Sequence, residues 1–279
     1  MTDVAGREWR LVRDDARDGP TQMALEEVAG ETALAEGVRT VRVFSWEPST
    51  LSLGYRTDAD AVDWTFCERA GIDVTRRQTG GGGIYHDAYA DISYTIVAPA
   101  EDVPSDLMDC YRLFCEPILA ALETMGVDAG FAATERAAIL EPSCYLRDVH
   151  PAHDVVAPAS DGRAKKLSGN AQYRQRDVVI QHGSISYARE PARHLGVFAD
   201  HETSSAAFTD RVTSIREQAA IDRETAVETL ADALGEWCNA EEGDWREDEL
   251  EAARELAADK YGTDAWIRDR DAQAADSSR

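Results

Sequence analysis

The 279-residue chain alternates between two hydrophobic periods. Residues 91–97 place Ile92, Tyr94 and Ile96 between polar neighbours, which predicts a half-buried strand closed by Pro99. Residues 178–187 read as a second long strand, interrupted at Gly183, where a backbone can approach a ligand closely. Shorter strands are expected at 9–13, 40–46, 50–55, 72–75 and 154–156, the last followed by a turn over 158–162. Helical spacing appears from Pro20 through Ala24, Leu25 and Val28 to a stop at Gly37, and again over 60–70 before Gly71. A long helix is capped by Ser105, carries Phe114, Ile118 and Leu122 on one face, is kinked at Pro117 and stops at Gly126. Asp222 caps a further helix with Leu230 and Leu234 inward, and Leu250, Ala253, Leu256 and Tyr261 mark another. Strands with interspersed helices give an α/β (α+β) class. Composition shifts after about residue 200, and residues 267–279 have little to bury and read as a disordered tail.

Charge narrows the function classes. Fifty-three acidic residues against 29 basic leave a net −24, and only Lys165, Lys166 and Lys260 are lysines. Such a surface repels nucleic-acid phosphates, so no nucleic-acid partner is expected. It suits a salt-rich cytoplasm, where screening removes the self-repulsion. The first residues hold no apolar run and no stretch is long enough to span a bilayer, so the expectation is a cytoplasmic protein with no membrane partner. Five scattered cysteines, without a Cys-x-x-Cys pair, argue against a disulfide framework or a structural zinc site.

Candidate chemistry concentrates in two stretches. Arg76-Arg77-Gln78-Thr79 runs into Gly80, Gly81, Gly82 and Gly83, then Ile84, Tyr85, His86 and Asp87. Glycines let backbone N–H groups reach a ligand, and an arginine suits a carboxylate or phosphate. The run matches neither the P-loop nor the dinucleotide fingerprint, so an anion cradle and a plain turn both stand. The second stretch is Lys165-Lys166-Leu167-Ser168-Gly169-Asn170, in a chain almost devoid of lysine. A lysine beside a glycine loop is what phosphate neutralisation in nucleotidyl chemistry requires, although a solvated basic patch has the same sequence. His86 and His182 lie near glycines, and either serves equally as a satisfied structural histidine. No His/Cys spacing marks a metal; a nucleotide-bound Mg²⁺ remains open.

Residues 76–87, RRQTGGGGIYHD, resemble the RRxSGGGAVxHD motif of the lipoate-protein ligase A family. Residues 165–187 resemble that family's lysine block and the strand after it, and MALEE, TLSLGYR and KYGTDAW are similar in order across about residues 20–266. The resemblance implies a biotinyl/lipoyl protein ligase-type catalytic domain over 1–215, a central mixed sheet flanked by helices, with appended helices over 216–266. It implies activation of lipoate or octanoate by ATP and Mg²⁺, then transfer to a lysine of lipoyl domains of 2-oxoacid dehydrogenase complexes or of the glycine cleavage H protein. On that reading Arg77 and the backbone of Gly80–Gly83 hold the carboxylate and phosphate, and Tyr85, His86, Ser168, Gly169 and His182 line the site. Lys166 contacts the carboxyl and α-phosphate, and Asp154 serves metal or nucleotide.

Two departures open an alternative. Gly82-Gly83-Ile84 replaces the family's GGGAV, and the accessory domain of many ligases has no counterpart after residue 215, which allows a separate accessory subunit. Octanoyltransferases of the same superfamily carry a cysteine nucleophile shortly before the lysine block, where Cys144 stands. Such an enzyme draws octanoyl from acyl carrier protein without ATP. Cys144 is read with equal weight as a small buried residue. The glycine run favours the ligase, and the sequence is read as a ligase first.

Overall fold

The computed structural model describes residues 4–270 apart from 152, 160–161 and 175–176; residues 271–279 of the expected tail, and 160–161 of the expected turn, lie outside it. The chain opens with β1 (Trp9–Arg13), α1 (Gly19–Glu36), β2 (Arg39–Phe44), β3 (Thr50–Leu53), α2 (Trp64–Ala70) and β4 (Asp73–Arg76). After the glycine loop come β5 (Ile84–His86), β6 (Asp91–Pro99), α3 (Leu107–Thr124), β7 (Gly130–Phe131), β8 (Val155–Pro158), β9 (Ala164–Arg174) and β10 (Val178–Ser186). The C-terminal third adds α4 (Pro191–Gly196), α5 (Ser205–Arg211), α6 (Ile215–Gln218), α7 (Arg223–Cys238), β11 (Glu241–Gly243), α8 (Glu247–Leu256) and α9 (Asp264–Ile267).

The described strands form an eight-stranded mixed sheet in the order β11-β1-β2-β6-β10-β9-β8-β7 and a small sheet β4-β3-β5. Each face of the large sheet has its own core. On one, Phe44, Trp46, Val97 and Ile180 pack with Met23, Leu25 and Val28 of α1 and with Leu51 and Leu53 of the small sheet. On the other, Val41, Tyr94, Ile96 and Ile185 meet Phe114 and Ile118 of α3 and Leu230 and Leu234 of α7. Central β6 and β10 are therefore buried along their whole length. The half-buried strand expected at 91–97 is corrected: its polar positions Asp91, Ser93 and Thr95 sit inside, under α1 and the small sheet, and are hydrogen-bonded there.

Local signals account for most helix ends. Asp18 accepts from Thr21 N at the start of α1, whose end is closed by Gly37 in the left-handed conformation. The cap of α3 is Asp106, which accepts from the amides of Met108 and Asp109, and not Ser105, because the helix starts at Leu107. The helix expected over 60–70 begins at Trp64, capped by Asp63. Residues 216–266 do more than lay helices on the core. β11 extends the sheet in parallel with β1. Tyr261 and Trp266 are buried against β4: Thr75 Oγ1 donates to Tyr261 O, and Trp266 Nε1 donates to Arg76 O. Among the described residues no helix is long and apolar enough to cross a membrane.

Gly183 shows what its missing side chain leaves room for. A Cβ there would stand 2.1 Å from the Tyr94 ring, so the space expected for a ligand is filled by a cross-strand aromatic. Gly183→Ala should lower stability by about 1–3 kcal/mol through overpacking. Urea unfolding checks this; an unchanged midpoint would show that the ring has room to move.

Candidate active site

The glycine loop is held from behind by one arginine. Arg77 is fully buried, and all five of its N–H groups are used. Nε donates to Thr79 Oγ1, one terminal nitrogen to the carbonyl and hydroxyl of Ser52, and the other to the carbonyls of Gly80 and Gly82. Burial pushes its pKa down to about 10, so it stays charged at neutral pH. Arg77 also stands in the wall of the cavity that Cys144 borders, and with its donors taken up by Ser52, Thr79 and the loop carbonyls it organises the cradle from within that wall.

The same loop then clasps the cysteine segment. Gly83 N donates to Pro142 O at 2.6 Å and Cys144 N donates to Gly83 O at 2.8 Å, a short bridge that fixes the nucleophile candidate against the glycines. A Cβ on Gly82 would lie 2.7 Å from Pro142 O and 2.8 Å from Cys144 N, so only glycine allows this approach. Gly81, at φ +91°, takes the left-handed turn.

β9 supplies the cation. A bulge makes Val155 pair with Ser168 while Val156 pairs with Lys166, leaving Leu167 as the extra residue. Plain alternation would put Lys166 and Ser168 on one face. The bulge instead turns Ser168 toward the α3 side, opposite Ile185, with its hydroxyl buried and unpartnered among the described residues. Lys166 and Gly169 then share the cavity face; a Cβ on Gly169 would meet Cys144 Sγ at 2.9 Å and Lys166 Cε at 3.5 Å. Ser168 is thus withdrawn from the site and Gly169 retained.

Lys166 is buried. Its Nζ lies 2.7 Å from Asp154 Oδ1, donates to Cys144 O at 2.7 Å, and stands 3.9 Å from Cys144 Sγ. Burial alone would depress the ammonium pKa, but the Cys144 sulfur and the Asp154 carboxylate outweigh it and hold it above the usual lysine value. Asp154 is the mirror image: burial pushes it up, and Lys166 more than reverses this, to about 2. Its second oxygen accepts from His150 N at 2.8 Å. Both oxygens are engaged by protein, so Asp154 does not fit the expected metal or nucleotide role. No group of three His, Cys, Asp or Glu among the described residues could hold a metal ion. Arg77, Lys166 and Asp154 thus each have partners within the protein, whereas the amides of Gly80, Gly81 and Gly82 have none among the described residues.

Cys144, Lys166 and Gly169 border a cavity of about 300 Å³, with Ile84 in its wall and Gly80, Gly81 and Arg147 at its edge. Tyr85, His86 and His182 do not line it. Tyr85 OH donates to Asp87. His86 lies in a buried chain: Nε2 is 2.7 Å from Ser52 Oγ, Nδ1 is 2.9 Å from Asp91 Oδ2, and the ring stacks on Trp46. Burial pushes its pKa down to about 4. His182 Nδ1 contacts Glu26 Oε1 at 2.6 Å beside the same tryptophan. Asp91 continues the chain to Ser184 and so to the hydroxyl of Tyr145, next to the candidate nucleophile. Sequence reasoning missed Tyr145 and the Ser143 Oγ···His194 Nε2 contact of 2.9 Å; neither stands in a motif with a period or spacing to betray it.

A cavity holding a cysteine beside a buried ammonium, roofed by a glycine loop, defines an acyl-handling enzyme site on a lipoyl-ligase fold. The chain belongs to the lipoyl protein ligase A/B catalytic domain family, which matches residues 18–237. It is 31% identical to octanoyltransferase LipM of Kyrpidia tusciae, over 92% of this chain and 97% of that one. Octanoyltransferase LipM of Bacillus subtilis is 26% identical over the same shares. The fold alone is shared with the bipartite lipoate protein ligase of Thermoplasma acidophilum (TM-score 0.75, 20% identity, 94% of this chain and 96% of that one). It is also shared with a lipoate-protein ligase A bound with ATP (TM-score 0.76, 22% identity, 94% and 98%).

Two stability experiments follow from these charges. Lys166→Ala leaves a buried carboxylate unpaired and should cost about 3–5 kcal/mol at pH 7, much of it recovered in Lys166→Ala/Asp154→Ala. Strict additivity of the two substitutions in urea unfolding would refute the coupling. The second concerns His194, whose pKa burial pushes from 6.5 down to about 3. As pH falls, the unfolded chain takes up that proton first, so stability drops from about pH 6.5 downward and levels off below about 3. Between pH 7 and 5 the loss should be about 2 kcal/mol. His194→Gln should flatten it; an equal loss in the wild type and the variant would assign the pH dependence elsewhere.

Proposed function

We propose that this enzyme is an octanoyltransferase that moves an octanoyl group from a carrier thioester to a lysine of a lipoyl-domain protein through Cys144. The carrying observation is the 3.9 Å separation of Cys144 Sγ and Lys166 Nζ inside the cavity. In the first step the Cys144 sulfur attacks the thioester carbonyl. The carbonyl–sulfur bond to the carrier breaks, octanoyl–Cys144 forms, and the thiol proton leaves on the carrier's sulfur. In the second, the acceptor amine attacks octanoyl–Cys144, an amide forms, and the amine's proton returns to Cys144. The Lys166 ammonium stands where it stabilises negative charge on the sulfur in both steps, and Asp154 keeps it charged and aimed. The N–H groups of Gly80, Gly81 and Gly82 make no hydrogen bond among the described residues and are available to the developing oxyanion.

This reading replaces the ATP-dependent ligase preferred from the sequence. The ligase reading rested on the glycine run with Arg77, Lys166 and Asp154 as phosphate and metal ligands; the three side chains have partners within the protein, and the free glycine amides serve an acyl oxyanion as well as a phosphate. The relatives named octanoyltransferase agree with the replacement across nearly the whole chain. The acceptor class, lipoyl domains, follows from the family. The division at residue 215 into a catalytic part and an appendage remains part of the proposal.

The test incubates the protein with an apo lipoyl domain and octanoyl-acyl carrier protein, without ATP. Mass spectrometry should find octanoyl on the acceptor lysine and, when acceptor is withheld, on Cys144. Cys144→Ser should reduce transfer by at least about 10³-fold. Modification that requires lipoate or octanoate with Mg-ATP, and that survives Cys144→Ser, would restore the ligase.

A further inference from the structure

Cations are scarce in this chain, and those that are described are mostly paired. Arg10 meets Glu249, Arg39 meets Asp102, and Arg246 meets Glu36. Arg77 is saturated by carbonyls and Lys166 by Asp154. Arg147 differs. It stands at the cavity edge, half-buried, three residues beyond Cys144, and its guanidinium has no hydrogen-bond or ion-pair partner among the described residues. It lies near enough to Lys166 for its charge to oppose the ammonium. Gly80 and Gly81, exposed at the same edge, carry N–H groups without partners among the described residues.

In a chain of net −24, Arg147 shares the cavity lining with Asp148 and Asp154 yet forms an ion pair with no carboxylate among the described residues, while Lys166 opposes its charge. A ligand that brings negative charge to the edge relieves it. A guanidinium fork is matched to phosphate oxygens, and partly desolvated charge-assisted hydrogen bonds are the strong kind. We propose that Arg147 binds a phosphate carried by the activated acyl donor as the acyl group enters toward Cys144. This rests on the acyl-transfer reading of the site. Two donors bring that chemistry: a phosphopantetheine thioester, which the transferase reading requires, and an acyl-adenylate.

The experiment compares octanoyl-phosphopantetheine with octanoyl-pantetheine, which lacks the phosphate, as donors to an apo lipoyl domain. Wild type should prefer the phosphorylated donor in kcat/KM, and Arg147→Ala should cut that preference about tenfold, mainly through KM. Arg147→Lys should recover part of it. With no side-chain partner to lose, Arg147→Ala should unfold at the wild-type urea midpoint. A second arm supplies octanoate with Mg-ATP and follows pyrophosphate exchange; a fall in exchange in Arg147→Ala, with thioester transfer absent in wild type, assigns the phosphate to the adenylate and refutes the transferase reading alone. Equal donor preference in wild type and Arg147→Ala, with transfer intact, overturns the proposal and leaves the transferase reading standing. So does a KM change confined to the acceptor domain.

Discussion

The enclosure of one guanidinium governs the site. Arg77 ties Ser52 on β3 to the carbonyls of Gly80 and Gly82, and the next glycine, Gly83, in turn holds Pro142 and Cys144. Removing a charge from water is costly unless every donor is satisfied, and here every donor is. Two of the loop's carbonyls, Gly80 and Gly82, are thus drawn to Arg77, while the amides of Gly80, Gly81 and Gly82 have no partner among the described residues. The buried chain from Ser52 through His86, Asp91 and Ser184 to Tyr145 closes the ring on the far side of the cysteine. The segment around Cys144, which has no regular secondary structure, is thus fixed by the small sheet on one flank and the large sheet on the other.

The second support is the bulge in β9. It costs one ladder register and returns a face on which Lys166 and Gly169 stand together beside Cys144. Side-chain volume at residue 169 is excluded by the sulfur itself, so the cavity floor is set by a hydrogen atom. The Asp154 partner comes from the residue just before β8, which β9 pairs, so the ion pair and the bulge are two aspects of one strand junction.

Much of this was legible. The long strands, the helix stop at Gly37 and the cap at Asp222 follow from periodicity and local signals, and the meeting of the glycine loop with the lysine block from the family resemblance. What failed did so for identifiable reasons. The resemblance implies Ser168 at the site, and a bulge, which leaves no mark in a sequence pattern, turns it away. Arg77, His86 and His182 are chemically suited to ligands and to structural roles alike, and sequence cannot say whether a donor meets a ligand or its own fold. The short β11, Glu-Glu-Gly, has no apolar residue to announce it, and its place at the sheet edge comes from pairing with β1 alone. Arg147 carries its signal only in the absence of a partner, which is a property of three dimensions.

The charges at the site suit a cysteine in the proposed reaction. Lys166 is paired with Asp154, and Arg77, enclosed by carbonyls and a hydroxyl, also feels the buried Glu26 carboxylate. Negative charge on the Cys144 sulfur, as it attacks or leaves, favours the charged forms of both cations. On the proposed reaction the interior therefore supplies the charge that the transition state needs, and the surplus that a donor phosphate carries is met at the edge, where Arg147 and solvent can share it.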